Sequence, residues 1–166
     1  MEPAFTSAFH HTPLGWLKIT GTATGLTEIT FVEEAPAQTE TDAPTPAPLI
    51  ACVTQLTEYF QGTRKTFELL LEPNGTDFQQ KVWRHLQEIP FGKTRSYLDV
   101  ALQLGEKTYT RAVGSANGKN PLAIVVPCHR VIGANGTLTG YAGGLWRKKW
   151  LLQFENQNPQ GELFPA

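Results

Sequence analysis

The sequence has few cysteines and no long apolar run. Only two of its 166 residues are cysteine, Cys52 and Cys128. A chain of this size without a secretion signal does not need a disulfide, so we expect both thiols to be reduced. No apolar stretch approaches the roughly 18 residues that span a bilayer, and the first residues lack a basic region followed by an apolar one. These features indicate a soluble, cytoplasmic protein that has no membrane partner.

Charge is balanced overall but unevenly divided along the chain. The net charge is −1. Residues 1–75 carry three Lys or Arg against nine Asp or Glu, whereas residues 76–166 carry eleven against six. The net charge is therefore −6 in the first part and +5 in the second. This division indicates that the second part meets a polyanion, although an uneven scatter of surface charge would give the same counts.

The first part of the chain begins with strand signals and continues into a loop signal. Two runs rich in β-branched and aromatic residues, 14–20 and 26–32, flank a turn-like segment that contains two glycines. They predict a β-hairpin. The stretch 33–48 is rich in Glu, Ala, Thr and Pro, a composition that predicts an acidic loop without helix or central strand.

A helix and one more strand are expected before the first domain ends. Apolar residues recur at helical spacing over 49–60 and place Cys52 on the apolar face, where a packed, unreactive thiol is the expected role. The run 66–71 predicts a strand. Pro73-Asn74-Gly75 then breaks the chain where the charge changes sign, so we expect domains over residues 1–73 and 74–166.

The second domain has a helical period. Thr76 with Gln79, and Ser96 with Asp99, have the spacing of a capping box, which predicts helices that begin at these positions. Thr108 is a candidate cap for a third helix. Two short helices separated by a tight, glycine-containing turn are the outline of a helix-turn-helix, although any small helical bundle contains such pairs.

The second helix of that pair has an unusual composition for a reader of the major groove. Residues 109–117 include one arginine, Arg111, among small residues, whereas major-groove readers project several long polar side chains. A helix of small residues can enter the narrower minor groove, where Arg111 could penetrate the base stack. The alternative is that Arg111 only pairs with a phosphate or a carboxylate.

The motif Pro127-Cys128-His129-Arg130 carries the candidate nucleophile. A free thiol has a pKa of about 8.5, so a nucleophilic cysteine needs a basic or cationic neighbour, which His129 supplies. The apolar run 122–126 predicts a strand that Pro127 ends, presenting Cys128 as the chain leaves the core. The alternative is a buried structural cysteine beside a surface histidine.

These motifs together resemble the O6-alkylguanine-DNA alkyltransferases, close to their bacterial forms, over about residues 66–155. The resemblance implies an α/β plus α fold, with an N-terminal ribonuclease-H-like α/β domain and a C-terminal mainly helical domain that contains a helix-turn-helix. The zinc-binding Cys/His set of some relatives and the cysteine-rich regulatory domain of others are missing. The motifs that carry the resemblance are Ser96-Tyr97, Arg111-Ala112-Val113-Gly114, Asn120-Pro121, Pro127-Cys128-His129-Arg130-Val131-Ile132-Gly133, Gly140-Tyr141-Ala142-Gly143-Gly144-Leu145 and Trp150-Leu151-Leu152.

The resemblance implies catalytic roles for five residues. Cys128 would accept the alkyl group, His129 would take the thiol proton through a water, and Glu155 would orient His129. Asn120 would brace the turn before Cys128, and Tyr97 would donate a proton to the leaving base. With a cation beside the thiolate, we expect the pKa of Cys128 to lie below that of a free thiol.

The resemblance also implies a binding surface for double-stranded DNA that carries alkylated bases. Arg111 would fill the gap that an extruded guanine, or an O4-alkylthymine, leaves in the stack. The expected DNA contacts are Thr110, Arg111, Ala112, Gly114, Ser115, Lys119 and Arg130. The expected pocket residues are Tyr97, Val131, Tyr141 and Ala142.

The implied chemistry is a suicide reaction. A thioether is a very poor leaving group, so each molecule would repair one base and then be spent, with no cofactor and no metal. We expect a monomer that can bind DNA cooperatively. Two alternatives are a non-reactive alkyltransferase-like DNA-binding protein, which carries Trp in place of the cysteine, and a Cys-His hydrolase. Cys128 argues against the first, and the lack of a motif for turnover or an oxyanion hole argues against the second.

Overall fold

The computed structural model describes residues 4–36 and 44–156. The chain divides into two compact units. The first unit contains the chain up to Asn74 together with Pro121–Ala123, and the second contains Gly75–Asn120 and the chain from Ile124 onward. The short segment Pro121–Ala123 thus belongs to the first unit although it follows residue 74 in the chain. A single boundary near residue 74 therefore does not separate the two units completely.

The first unit is a three-stranded antiparallel sheet with one helix. Its strands are β1 (Thr6–Thr12), β2 (Gly15–Thr22) and β3 (Gly25–Val32), in the order β1-β2-β3. The predicted hairpin is confirmed as β2 and β3, and β1 is an additional strand that we did not predict. In β2, alternate residues enter the core because successive side chains of a strand point to opposite faces. In β3, the buried residues Leu26 and Ile29 are three positions apart, because the pairing with β2 shifts its register between Thr20 and Gly21. The buried strand residues include Leu17, Ile19, Leu26 and Ile29.

Helix α1 (Ala47–Phe60) supplies the other side of this core. Cys52 is fully buried on its apolar face, as predicted. The helix begins one residue before Pro48, so the end of the predicted loop 33–48 is wrong. Proline is tolerated in a first helical turn, where its missing N–H would have no partner within the helix. Residues 37–43 of that loop lie outside the described residues.

The predicted strand over 66–71 does not form. Only Leu71 makes a β-bridge, to Leu26 of β3. The backbone of Glu68 instead pairs with the side chain of Gln55, whose Oε1 accepts from the Glu68 N–H at 2.8 Å and whose Nε2 donates to the Glu68 carbonyl at 3.0 Å. A helix side chain therefore satisfies backbone groups that a strand would have paired in a ladder.

The second unit is mainly helical. Its helices are α2 (Asp77–Gln87), α3 (Tyr97–Gln103), α4 (Thr110–Gly118) and α5 (Leu145–Glu155). Two short strands, β4 (Arg95–Ser96) and β5 (Val131–Ile132), pair in parallel. The residues just before α3 therefore lie beside the residues that follow the candidate nucleophile's turn. Within residues 4–36 and 44–156, no helix is both long enough and apolar enough to cross a membrane.

Both predicted capping boxes are present. Thr76 Oγ1 accepts from the Gln79 N–H at 3.1 Å, and Gln79 Oε1 accepts from the Thr76 N–H at 2.9 Å. Ser96 and Asp99 make the equivalent pair at the start of α3. Thr108 does not cap α4, because a turn of 3-10 helix over Lys107–Tyr109 runs directly into it.

Helices α3 and α4 form the predicted helix-turn-helix and pack with α2. The indole Nε1 of Trp83, on α2, donates to the carbonyl of Ala116 on α4 at 2.9 Å. Apolar residues of all three helices share the core of this unit, which includes Val82, Trp83, Leu86, Val100, Ala101, Val113 and Ala116. This packing holds one face of α4 inward and leaves the other in solvent.

We predict that Thr76→Ala lowers the free energy of unfolding by about 1 kcal/mol, because the Gln79 N–H loses its acceptor. Thr76→Ser retains the hydroxyl and is expected to change the free energy by less than about 0.5 kcal/mol. Urea denaturation followed by circular dichroism measures both. Equal destabilisation by the two variants would show that the hydroxyl does not act as a cap.

Candidate functional site

Cys128 follows a turn rather than a strand. The apolar run 122–126 was predicted to be extended, but only Leu122 makes a β-bridge and residues 123–125 form a turn. Ile124 has a φ of 70°, in the left-handed region that is costly for a β-branched residue. The β-bridge at Leu122 therefore does not continue into a strand. Cys128 then opens a single turn of 3-10 helix, Cys128–Arg130.

Two asparagine amides from the end of α4 hold the backbone around Cys128. Asn120 Nδ2 donates to the Val126 carbonyl at 2.8 Å, and the Asn120 side chain also hydrogen-bonds the thiol. Asn117 Nδ2 donates to the carbonyl of Cys128 at 3.3 Å. The role of Asn120 as a brace for this turn stays a prediction, and its hydrogen bond to Val126 is the contact through which it would act. Asn117 carried no prediction.

His129 and Arg130 share one buried carboxylate. Glu155, at the last turn of α5, accepts from Arg130 Nε and Nη2 at 2.8 and 3.0 Å, and its Oε2 lies 2.7 Å from His129 Nε2. The remaining Arg130 nitrogen, Nη1, donates to the Ile89 carbonyl at 2.7 Å. All three charged or ionisable side chains are buried. The cluster thus ties the candidate nucleophile's turn to α5 and to the end of α2.

The cluster fixes the proton of His129. Burial by itself would raise the pKa of Glu155, but its interactions with His129 and Arg130 hold that pKa well below its usual range. The carboxylate is therefore ionised and accepts from His129, so the imidazole proton resides on Nε2. Burial lowers the pKa of His129, against the opposing charge of Glu155. His129 is thus neutral at pH 7.

The other ring nitrogen of His129 is available as a base. His129 Nδ1 is buried and has no hydrogen-bond partner among the described residues. In the tautomer that Glu155 selects, Nδ1 carries the lone pair. A neutral imidazole held in this way can accept a proton, and Glu155 would stabilise the resulting cation.

The predicted low pKa of Cys128 is wrong. Burial raises the pKa of Cys128, and the Asn120 hydrogen bond and the charge of Lys148 oppose this effect without reversing it. The sequence showed a histidine next to the thiol but not the depth of burial, which disfavours a thiolate. Burial also raises the pKa of Cys52, to about 12, and the part of the chain described gives Cys52 no basic neighbour that opposes it.

Tyr97 and a buried lysine meet at the backbone of Thr139. Tyr97 Oη donates to the Thr139 carbonyl at 3.2 Å, and Lys148 Nζ donates to the same oxygen at 2.8 Å. Lys148 is fully buried, and burial lowers its pKa to about 8 against the opposing charge of Cys128. We did not predict a role for Lys148. The signal was its spacing of three and four residues from Leu151 and Leu152, which places it on the buried face of α5.

The other expected pocket residues differ in exposure. Val131 is buried and Ala142 is exposed. The hydroxyl of Tyr141 is buried and has no hydrogen-bond partner among residues 4–36 and 44–156. Burial, and then the charge of Cys128, raise the pKa of Tyr141 well above its ordinary value. The Tyr141 hydroxyl is therefore a neutral donor whose surroundings include the candidate nucleophile.

The outer face of α4 carries most of the residues expected to contact DNA. Arg111, Ala112, Ser115 and Lys119 are exposed, and Thr110 and Gly114 are partly exposed. Arg130 does not belong with them, because its guanidinium is buried and is bonded to Glu155 and Ile89. The prediction that Arg130 binds DNA is not supported by this placement.

Metal chemistry has no evident site in the part of the chain that the structure describes. No group of three or more His, Cys, Asp or Glu residues there is arranged to hold a metal ion.

The chain matches two family models that together span most of its length. Residues 6–73 match the ribonuclease-like domain of 6-O-methylguanine DNA methyltransferase, and residues 77–157 match its DNA binding domain. The methylated-DNA–protein-cysteine methyltransferase of Mycobacterium bovis is 46% identical over 152 residues, which cover 91% of this chain and 92% of that protein. The protein of the same name from Methanosarcina barkeri is 54% identical over 63% of this chain and 66% of its own.

Solved structures agree with these matches. The crystal structure of the Mycobacterium tuberculosis O6-methylguanine methyltransferase has a TM-score of 0.82 and 43% identity, and the alignment covers 96% of this chain and 98% of that one. A crystal structure of Mycobacterium tuberculosis OGT in complex with DNA has a TM-score of 0.78 and 45% identity, over 91% and 92% of the two chains. The resemblance and the predicted fold class are confirmed, and the chain belongs to the 6-O-methylguanine DNA methyltransferase family.

Proposed function

We propose that this protein repairs alkylated DNA by moving the alkyl group from O6 of guanine, or from O4 of thymine, to Cys128 Sγ in one irreversible turnover. The observation that carries the proposal is the pairing of His129 and Glu155 next to a buried thiol, because it supplies a neutral base with a free nitrogen. A DNA-binding protein that only flags lesions would not need this base.

In the proposed reaction, Cys128 Sγ attacks the alkyl carbon and the bond from that carbon to the base oxygen breaks. The bonding electrons pass to the base, and a thioether forms at Cys128. The thiol proton passes through a water to His129 Nδ1, and Glu155 stabilises the imidazolium. Tyr97 gives up its hydrogen bond to Thr139 and donates a proton to the departing base. The imidazolium then releases the thiol proton to water and Tyr97 takes one back, so the net change moves one proton from the thiol to the base.

We further propose that the exposed face of α4 enters the minor groove of the duplex. Its small side chains, Ala112 and Ser115, allow close approach, and Arg111 is long enough to fill the gap left by an extruded base. An alkylated base pairs weakly, so extruding it costs less free energy than extruding a normal base. The net charge of +5 over residues 76–166 would attract the phosphates.

The proposed active species is a monomer. The side chains that would do the chemistry all come from one chain, so a second copy is not needed; they are Cys128, His129 and Glu155. Several monomers could still bind cooperatively along one DNA duplex. Both cysteines are free thiols. Because the reaction consumes a reduced thiol, we propose that the protein works in a reducing compartment, the cytoplasm.

Mixing the protein with a duplex that contains one O6-methylguanine is expected to add one methyl group, about 14 Da, to each protein molecule. Peptide mapping by mass spectrometry is expected to place the methyl group on Cys128 and none on Cys52, whose thiol is protonated because its pKa is about 12. Cys128→Ala should gain no mass. Repair of several lesions by each protein molecule would refute the single-turnover proposal.

Arg111→Ala is expected to slow methyl transfer from duplex DNA by about tenfold or more, because the flipped state loses the side chain that fills the stack. Transfer from free O6-benzylguanine requires no flipping and is expected to stay within about twofold of the wild-type rate. Arg84→Ala, which removes an exposed arginine from α2, is the charge-matched control. An equal loss on both substrates would mean that Arg111 has a structural role.

The rate of transfer is expected to be flat between about pH 6.5 and pH 7.5 in the wild type. The pKa of His129 lies below its ordinary value of about 6.5, so the base is neutral across this window. The pKa of Cys128 lies above its ordinary value of about 8.5, so the thiol stays protonated and neither group changes its charge in this window. The window ends below the pKa of Lys148, about 8. Stopped-time assays of labelled duplex measure the rate.

His129→Gln removes the base and should change the shape of this profile. The rate then depends on the small thiolate fraction, which grows about tenfold for each pH unit below the thiol pKa. We expect a slow rate at pH 6.5 that rises about tenfold by pH 7.5. A flat profile in a variant that melts like the wild type would remove His129 from the proton path. Glu155→Gln is a poorer test because it leaves Arg130 buried without its counter-ion.

A further inference from the structure

We propose that Asn117 is a positioning residue for the transfer reaction, whose amide holds the backbone of Cys128 in the direction that the attack requires. The inference rests on the proposed function of Cys128 as alkyl acceptor. Asn117 lies on α4, and its side chain is directed inward, with 3% of the residue exposed. Its Nδ2 donates to the Cys128 carbonyl at 3.3 Å.

This hydrogen bond is not needed to satisfy the carbonyl. The Cys128 carbonyl already accepts from the backbone N–H of Val131, which closes the 3-10 turn. The Asn117 amide is therefore a second donor on an oxygen that the local backbone already serves. A bond of this kind adds little to stability, since folding exchanges a hydrogen bond with water for one within the protein.

The other end of the Asn117 amide argues against a purely structural role. Its Oδ1 is buried and has no hydrogen-bond partner among the described residues. A buried acceptor without a donor is destabilising, and the residues beside it on the inner face of α4, Val113 and Ala116, are apolar. A leucine would pack here without that cost. A polar side chain that breaks the packing pattern next to a reactive group indicates a functional constraint.

Asn117 connects the nucleophile to the helix that we propose meets DNA. The carbonyl of Ala116 accepts from the Trp83 indole at 2.9 Å, so this part of α4 is held in place. Arg111 lies six residues earlier, about 9 Å along the helix axis. Asn117 on α4 bonds the Cys128 carbonyl and Asn120, two residues beyond the end of α4, bonds the Val126 carbonyl, so the nucleophile's segment is held at two points.

Holding the Cys128 carbonyl restrains the peptide plane and, through it, the direction of the Cα–Cβ bond that carries the thiol. Attack on an alkyl carbon needs the sulfur in line with the breaking bond, and small misplacements slow such reactions strongly. A positioning amide would therefore act on the rate of transfer, and the affinity for DNA would be unchanged.

The first test is Asn117→Leu, which keeps the approximate size of the side chain and removes both polar atoms. We expect the transfer rate from saturating O6-methylguanine duplex to fall about tenfold or more. The affinity for the duplex should stay within about twofold, and the melting temperature should be unchanged or higher because the unpaired acceptor is gone. Gln87→Leu, an amide-to-leucine change at an exposed position of α2, is the matched control.

The second test is Asn117→Asp, which restores a donor only when the carboxyl group is protonated. Burial raises the pKa of an aspartate because it disfavours the charged form. The transfer rate of this variant is therefore expected to rise as the pH falls from about 7.5 to 6.5, where the wild type is expected to be flat. A residue with only a packing role would not generate this dependence.

Three outcomes would overturn the inference. They are a wild-type transfer rate in Asn117→Leu, a loss of rate that parallels a lower melting temperature, and a flat pH profile in Asn117→Asp. Failure of the proposed function would look different, because the wild-type protein itself would then gain no methyl group in the same assay.

Discussion

The organisation of the second unit depends on the buried carboxylate of Glu155. Burying a charge costs several kcal/mol unless it is paired and hydrogen-bonded, and Glu155 is both, through Arg130 and His129. Arg130 keeps the carboxylate ionised. The ionised carboxylate in turn selects the His129 tautomer whose Nδ1 can act as a base. The same contacts fasten α5 to the turn that carries Cys128, so stability and chemistry rest on one cluster.

Helix α4 has two faces with separate tasks. Its outer face presents Arg111 among small residues, which suits close approach to a duplex. Its inner face and C-terminal end carry the amides of Asn117 and Asn120, which hold the backbone on either side of the candidate nucleophile. A helix built in this way would fix the position of the lesion relative to the acceptor thiol, because the same rigid element contacts both.

The neighbours of the two cysteines, and not their burial, distinguish the reactivity expected of them. Burial raises the pKa of both Cys52 and Cys128. Only Cys128 has a neutral histidine, an asparagine and a buried lysine in its surroundings. A thiol of this kind is protonated at rest and loses its proton as the alkyl group is transferred. Such a thiol would react slowly with electrophiles in solution. It would react with an alkylated base that is bound in the pocket, where His129 can accept the thiol proton.

The sequence by itself determined the β2–β3 hairpin, the capping boxes of α2 and α3, and the Cys128-His129 pair, because each depends on residues a few positions apart. Strands expected over 66–71 and 122–126 failed to form because extended segments need partners from elsewhere in the chain. The tertiary structure alone decided the ionic role of Arg130 and the raised pKa of Cys128. Each of these depends on which distant groups surround a side chain and on how much water they exclude, and neither quantity is set by neighbours in sequence.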